Sequence, residues 1–299
     1  MTRTNRGFTL VEMLVVITII GILAGLTTAA AIAARNRARI AAISMELQQL
    51  DMALKVYRDK FGEYPPDGTD ASAVYRHILR AFPRCTSIPS YIYSSSGTGT
   101  TSLTPFNALV FWLGGLPGSD GRPNGFSANP TDPFDNSGST STSRIGPFFD
   151  FDTARLTAGT VSLSDLNTYK YWPNGATGDK TTGAIIYFRA ENGVYRVGGV
   201  VTNAIKTAND VDPVTSGTTT VYPAGDTRIG FNGTSGSNTW VNPRSFQIMS
   251  SGMDATYGSL TLGTTTYPGL AFPTGENYSD HTFDDITNFS SGRLEDAIP

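Results

Sequence analysis

The hydrophobic pattern divides the start of the chain into two parts. Residues 8–34 are apolar or small except for one carboxylate, Glu12, and this run exceeds the ~20 residues that a helix needs to cross a bilayer. From residue 40 onward, apolar side chains recur at alternating spacings of three and four, which is typical of one face of an amphipathic helix. We therefore predict one continuous helix over residues 8–61. The stripe consists of Ile40, Ile43, Leu47, Leu50, Leu54, Tyr57 and Phe61.

This amphipathic stripe admits two interpretations. It is either a coiled-coil seam or the face of a helix that docks on a globular domain. We favour docking, because the pattern lasts only about three repeats before Gly62 ends the helix.

The pattern of the remaining chain is typical of an α+β head. Residues 71–82 predict a short amphipathic helix with His77 on its surface, and the apolar run at 106–116 predicts a core helix or a buried strand. Four strand-like segments follow, separated by Gly or Asn turns, which predicts an antiparallel sheet packed on the long helix. These segments are GAIIYFRA, GVYRVGGVV, RSFQIMSS and SLTLGTTTYPG.

Composition and charge favour an exported head. Charged residues make up only 16% of the chain, and the single cysteine, Cys85, excludes an intramolecular disulfide, so packing or a metal must hold the loops. Residues 1–39 carry a net charge of +4 and the whole chain carries −3, which leaves −7 for the rest. Positive charge before the apolar run predicts a cytoplasmic N-terminus. A mildly acidic body gives no reason to expect a nucleic-acid partner.

The residues around Glu12 carry a resemblance to a known family. The stretch RGFTLVE at residues 6–12 resembles the class III signal of type IV pilins and type II secretion pseudopilins, with a basic leader, Gly7, then Phe8, and Glu12 at the fifth mature position. The resemblance implies that prepilin peptidase cleaves after Gly7 and methylates Phe8. An ordinary secretory signal is disfavoured, because the apolar run is about twice the usual length and ends in arginines.

Cleavage after Gly7 gives Glu12 a physical role in assembly. The new α-amine of Phe8 on one subunit can pair with the Glu12 carboxylate of its neighbour inside an apolar helix bundle. An unpaired charge in hydrocarbon costs on the order of 3 kcal/mol, so the pair favours the assembled state. The alternative is a carboxylate that lies near the membrane interface and snorkels to water.

The C-terminal region resembles the closing part of type II secretion major pseudopilins. The resemblance rests on FQIMSSGMDATYGS at residues 246–259 and DHTFDDITNFS at residues 280–290. In that family a loop binds calcium through two aspartates and main-chain carbonyls, which implies Asp254 and Asp285 as ligands here, with Asp284 as a neighbour or substitute. Calcium prefers six to eight oxygen ligands, which such loops supply. The alternative is that these acids are solvated turn formers.

The resemblance implies the organisation of the chain and its surroundings. Residues 1–7 are the leader, 8–34 the transmembrane and assembly helix, 35–61 its amphipathic continuation, and 62–299 the head. The expected location is the bacterial inner membrane, crossed once, with the head in the periplasm or at the cell surface. The expected partners are copies of the same chain, prepilin peptidase, the inner-membrane assembly platform and minor pseudopilins.

A structural subunit of a secretion pseudopilus or a type IV pilus-like filament is the function that this organisation favours. We expect no enzymatic activity and assign no catalytic residue, since the sequence contains no nucleotide-binding loop, nucleophile elbow or zinc-binding motif. The alternative is a membrane-anchored binding protein or hydrolase outside the cytoplasm that uses the helix only as a tether.

Overall fold

The computed structural model describes most of the chain. The described residues are 9–94, 99–137, 143–174, 183–195, 206–211, 218–221, 223–229, 231, 239–258, 261–262, 265–266, 269–279 and 281–299. They form an α+β fold in which one long helix precedes a head of short helices and strands. The α-helices are α1 (Leu10–Phe61), α2 (Ala71–Ala81) and α3 (Ala108–Gly114).

Helix α1 begins and ends where the sequence supplies caps. Thr9 is the N-cap residue, and its hydroxyl accepts a hydrogen bond from the Glu12 amide. At the other end, Gly62 adopts a left-handed conformation with φ of 84° and donates its N–H to the Arg58 carbonyl. The 52-residue helix confirms the predicted continuous element.

A four-stranded antiparallel sheet forms the centre of the head. Its strand order is β12-β8-β3-β4, and α1 packs on β8 and β12. This contact confirms the docking interpretation of the amphipathic stripe. The strands of this sheet are β3 (Ile186–Glu191), β4 (Val194–Tyr195), β8 (Phe246–Ser250) and β12 (Ile286–Thr287).

The remaining strands form two-stranded pairs around this sheet. Three pairs are antiparallel, whereas β7 and β11 run parallel, which the sequence pattern did not indicate. The predicted last strand segment is divided into the two short strands β9 and β10. The bounds are β1 (Phe126–Ser127), β2 (Arg144–Ile145), β5 (Lys206–Val211), β6 (Thr218–Val221), β7 (Ala224–Asp226), β9 (Thr261–Leu262), β10 (Thr265–Thr266) and β11 (Leu270–Phe272).

Both faces of the central sheet are buried, against two different hydrophobic clusters. Along β3, Tyr187 faces the cluster that contains α1, α2 and α3, whereas Ile186 and Phe188 face a second cluster. This alternation follows from the two-residue period of a strand. The second cluster includes Trp172 and Trp240. The sheet therefore separates the docked helix from an additional apolar layer.

A buried ion pair joins α1 to the head. Glu46 lies on the docked face of the helix, and its Oε1 accepts a hydrogen bond of 2.6 Å from Nη1 of Arg155. The Tyr171 hydroxyl donates to the same carboxylate oxygen at 3.0 Å, and the Arg155 guanidinium lies over the Tyr171 ring. Because the charged groups are both paired and hydrogen-bonded, the fold accommodates them away from water.

The prediction that His77 lies on the surface is wrong. Its side chain is fully buried, with Nδ1 2.7 Å from Oε1 of Glu63 and Nε2 2.8 Å from the Tyr57 hydroxyl. Burial lowers the pKa of His77. Burial opposes ionisation of Glu63, but the His77 hydrogen bond and the Arg189 charge outweigh it and lower its pKa to about 2. A neutral His77 thus links α1, α2 and the loop between them.

Candidate functional site

The N-terminal part of α1 is not buried by any described part of the head. Every residue from 9 to 35 is exposed, including large apolar side chains such as Leu10, Ile17 and Leu26. Within the described residues, α1 is the one helix that is long and apolar enough to cross a membrane. An apolar helix that is bare on all sides requires lipid or other helices around it.

Glu12 caps the start of this bare helix. Thr9 and Glu12 form a reciprocal capping box, in which the Thr9 N–H donates to Glu12 Oε2 at 2.8 Å and the Glu12 N–H donates to Thr9 Oγ1 at 3.2 Å. The Thr9 hydroxyl also donates to Glu12 Oε2 at 2.8 Å. These bonds hold the carboxylate at the N-terminal end of the helix, where the helix dipole favours negative charge.

The capping role of Thr9 was not part of the sequence interpretation, although the pattern Thr-x-x-Glu before an apolar run indicates it. Gly7 and Phe8, the predicted processing residues, lie outside the described part of the chain. Pairing of Glu12 with a neighbouring Phe8 amine therefore stays a prediction.

The three aspartates of the predicted cation site lie where β8 ends and β12 begins. Ser250 at the end of β8 pairs with Ile286 at the start of β12. Asp254 lies in the loop four residues after the end of β8, and Asp284 and Asp285 directly precede β12. Antiparallel pairing therefore brings together carboxylates that are about 30 residues apart in sequence.

The backbone of this loop pair is closely packed. Asp284 Oδ2 accepts a hydrogen bond of 3.1 Å from the Met253 N–H. Gly252 has φ of 65°, and a Cβ atom there would lie 2.5 Å from the same Asp284 oxygen. Only glycine therefore allows the first loop to approach the Asp284 carboxylate this closely.

The electrostatics of the cluster favour a positive partner. Burial, together with the charge of Asp254, raises the pKa of Asp284. Burial raises the pKa of Asp285 well above its usual range, and the charges of Asp284 and Asp254 act in the same direction. Within the described part of the chain, Oδ1 of Asp284 and Oδ1 of Asp285 are buried without a hydrogen-bond partner. Such oxygens are suited to a hard cation.

Side chains alone do not complete a metal site here. Among the residues that the structure describes, no group of three His, Cys, Asp or Glu side chains is arranged to hold a metal ion. A cation at this position thus requires main-chain carbonyls and water as further ligands, and calcium commonly accepts both. The residues present fit calcium on that condition.

His281 is an additional member of this cluster that sequence reasoning missed. Its Nδ1 lies 2.8 Å from Asp254 Oδ2, while the Thr256 N–H donates to Asp254 Oδ1 at 2.8 Å. The sequence offered one signal, since His281 stands in the same short acidic segment as Asp284 and Asp285.

Comparison with known proteins identifies the N-terminal region. Residues 2–28 match the family model of the prokaryotic N-terminal methylation motif. No curated protein and no solved structure matches the chain significantly. The matched segment contains Gly7, Phe8 and Glu12, and it leads into the bare apolar helix described above. The motif and the helix are consistent with a membrane-anchored protein, and the motif supports a likeness to type IV pilin-like proteins.

Proposed function

We propose that this protein is a structural subunit of a type II secretion pseudopilus or a type IV pilus-like filament. The observation that carries the proposal is an apolar helix whose residues 9–34 are all exposed, joined to a head that is packed without them. The methylation motif favours cleavage by prepilin peptidase after Gly7 and self-assembly. Before assembly, lipid covers the helix, and in the filament neighbouring helices replace the lipid.

The proposed subunit crosses the inner membrane once, with its N-terminus in the cytoplasm and its head in the periplasm. The inner-membrane assembly platform and minor pseudopilins are its proposed partners besides further copies of the chain. The arginines at positions 35, 37 and 39 follow the apolar run and support an end of the span at the membrane surface.

Glu12 sets the register between subunits in this proposal. The hydrogen bonds from Thr9 hold the carboxylate at the first turn of α1. In the sequence, Thr9 directly follows Phe8, whose α-amine is released by cleavage after Gly7. Within the described residues, Glu12 has no cationic partner. The amine of an adjacent subunit supplies one, and because a single position on each chain carries each charge, the pair defines one axial offset.

Two variants test this role. Glu12→Gln keeps a side chain that can hydrogen-bond with Thr9 but removes the charge, and Glu12→Ala removes both. We expect both variants to insert and to be processed normally, and both to lose filaments in electron microscopy of sheared material. Thr18→Ala, on the same exposed helix, is the control and should assemble. Normal filament yield from Glu12→Gln would contradict the charge pairing.

Mass spectrometry of the mature N-terminus separates the filament subunit from a tethered binding protein or hydrolase. Methylated Phe8 is the result expected for a processed pilin-like subunit. An intact Met1 in the membrane-bound protein would contradict the proposal, because a tether needs neither cleavage nor a free amine at this position.

We further propose that the head binds calcium at Asp254 and Asp285, with Asp284 as a neighbouring or substitute ligand. The support is the buried Oδ1 atoms of Asp284 and Asp285, which have no partner among the described residues, and the mutual repulsion of the three acids. Bound calcium supplies positive charge that offsets this repulsion. As shared ligands, Asp254 and Asp285 would join the two ends of the loop between β8 and β12. The single cysteine, Cys85, is free and forms no disulfide that could do so.

Thermal unfolding of the full chain in detergent tests the cation site. We expect calcium to raise the melting temperature and a chelator to lower it. Asp285→Asn should abolish this difference and, in chelator, should be at least as stable as the wild type because one buried charge is removed. Asp226→Asn, whose carboxylate pairs with Arg228 outside the cluster, is the control. Equal melting temperatures of the wild-type protein in calcium and in chelator would contradict calcium binding at this site.

A further inference from the structure

The contact between His281 and Asp254 extends the cation site beyond its acidic residues. The Nδ1 to Oδ2 distance is 2.8 Å, and a carboxylate can only accept, so the imidazole is the donor. The His281 side chain is 56% exposed and the Asp254 side chain 38% exposed, which places the pair at the mouth of the cluster. The inference drawn from this contact rests on the calcium site proposed above.

The interior of the cluster contains an independent sign of a missing ligand. Asp285 is 1% exposed, and its Oδ1 has no hydrogen-bond partner among the described residues. A buried oxygen of this kind is costly unless it meets a donor, a water or a cation. The exposed Asp254, which His281 contacts, is thus near enough for its charge to act on a buried carboxylate whose Oδ1 has no partner among the described residues.

The two hydrogen bonds to Asp254 leave capacity for a cation. Oδ1 accepts the Thr256 N–H and Oδ2 accepts His281, so each oxygen has one donor. A carboxylate has about four lone-pair sites, and about two therefore remain for a metal ion. Because both oxygens accept a hydrogen bond, rotation of the Asp254 carboxylate is restricted. Without His281, the Thr256 bond would be the one hydrogen bond from a described residue that holds the Asp254 carboxylate.

We propose that His281 is a positioning residue of the cation site, which donates a hydrogen bond from Nδ1 to Asp254 and orients its carboxylate for calcium. Partners of this kind behind metal ligands commonly change affinity without touching the ion. A histidine that competed with the cation for Asp254 would have the opposite effect, since its removal would strengthen binding.

The test compares calcium binding to full-length variants in detergent by titration calorimetry. His281→Ala removes the donor and should weaken calcium affinity about 10- to 100-fold, the range found for residues that orient metal ligands. His281→Asn places an amide N–H near the position of Nδ1 and should restore most of the affinity. Arg228→Ala removes a comparably exposed partner from Asp226, outside the cluster, and should bind calcium as the wild type does.

Rescue by asparagine distinguishes positioning from a structural role. In chelator, all variants should have the same melting temperature as the wild type, because the His281 side chain is largely exposed. Unchanged or tighter calcium binding by His281→Ala would overturn the inference, and so would an asparagine variant as weak as the alanine variant. If the wild-type protein binds no calcium, the cation site and this inference both fail, whereas filament assembly through Glu12 is measured separately and is unaffected.

Discussion

The two halves of α1 form one uninterrupted helix in opposite surroundings. Residues 9–35 are exposed on every side, whereas seven side chains between Ile43 and Tyr57 are buried against the head. The docked half shows a hydrophobic stripe with polar residues opposite, and the bare half is apolar all round. Periodicity therefore indicates a partner within the chain, and its loss indicates a partner outside it.

One carboxylate in each half makes the difference concrete. Glu46 is buried and meets a guanidinium and a phenol from the head, Arg155 and Tyr171. Glu12 is exposed, and among the described residues it meets only the hydroxyl and N–H of Thr9, which carry no charge. The head neutralises the first acid, whereas the proposed partner of the second is the α-amine of a neighbouring subunit.

Breaking the buried pair should have the largest effect on the stability of the head. Arg155→Met leaves the Glu46 carboxylate buried without its cation, which costs about 3–5 kcal/mol. Denaturant unfolding of the full chain in detergent, followed by tryptophan fluorescence, measures the loss. Arg122→Met removes the exposed pair with Asp120 and should cost less than about 1 kcal/mol. Equal losses in the two variants would show that burial of the Glu46 pair is unimportant.

Two positions on the docked half test the direction of the stripe. Leu50 is fully buried and Met52 is 57% exposed, although they are two residues apart. Leu50→Ala should cost about 2–5 kcal/mol through the lost contacts and the cavity, whereas Met52→Ala should change stability by less than about 0.5 kcal/mol. The same unfolding assay applies. A similar cost at both positions would contradict docking through one face.

Local patterns in the sequence predicted much of this architecture. The three-four spacing predicted the docked face of α1, and alternation with Gly turns predicted β3 and β8. These features depend on residues close together in sequence, where helix and strand periods act directly. The aspartates near residues 254 and 284, about 30 positions apart, were expected instead from the resemblance to major pseudopilins.

Contacts between distant residues could not be predicted in the same way. Glu46 and Arg155 are 109 positions apart, and no periodicity connects them. His77 is different, because it follows Val74 by three positions and therefore lies on the buried face of α2. Its neighbours Arg76 and Arg80 suggested a surface position, although helical spacing indicated the interior.

Acid should reduce the free energy of unfolding through His77, by less than the Arg155 and Leu50 substitutions do. Burial in the folded state lowers the pKa of His77. Below about pH 6.5 the unfolded chain therefore takes up a proton more readily than the folded chain, and the free energy of unfolding decreases as the pH decreases. The slope cannot exceed about 1.4 kcal/mol per pH unit for one proton. Glu63 contributes stability above about pH 4.5, which is lost as pH falls towards its folded pKa of about 2.

The difference between the wild type and His77→Gln isolates the histidine contribution. Unfolding free energies of both proteins are measured between pH 7 and 5 in the same chelator, so that the aspartate cluster contributes equally to each. The wild type should lose more stability than the variant over this range. Parallel curves would mean that His77 accepts a proton as easily in the folded protein as in the unfolded chain.

The smallest effect is expected at the cap of the bare half. Thr9→Ala removes the hydroxyl that accepts the Glu12 N–H, and an N-cap of this kind contributes about 1 kcal/mol to the start of a helix. Hydrogen exchange of the first-turn amides in detergent should therefore accelerate about fivefold, since 1 kcal/mol corresponds to about that factor. The head should melt unchanged, because no described contact joins residues 9–35 to it. A lower melting temperature of the head would show that the two halves of α1 are coupled more closely than their surroundings indicate.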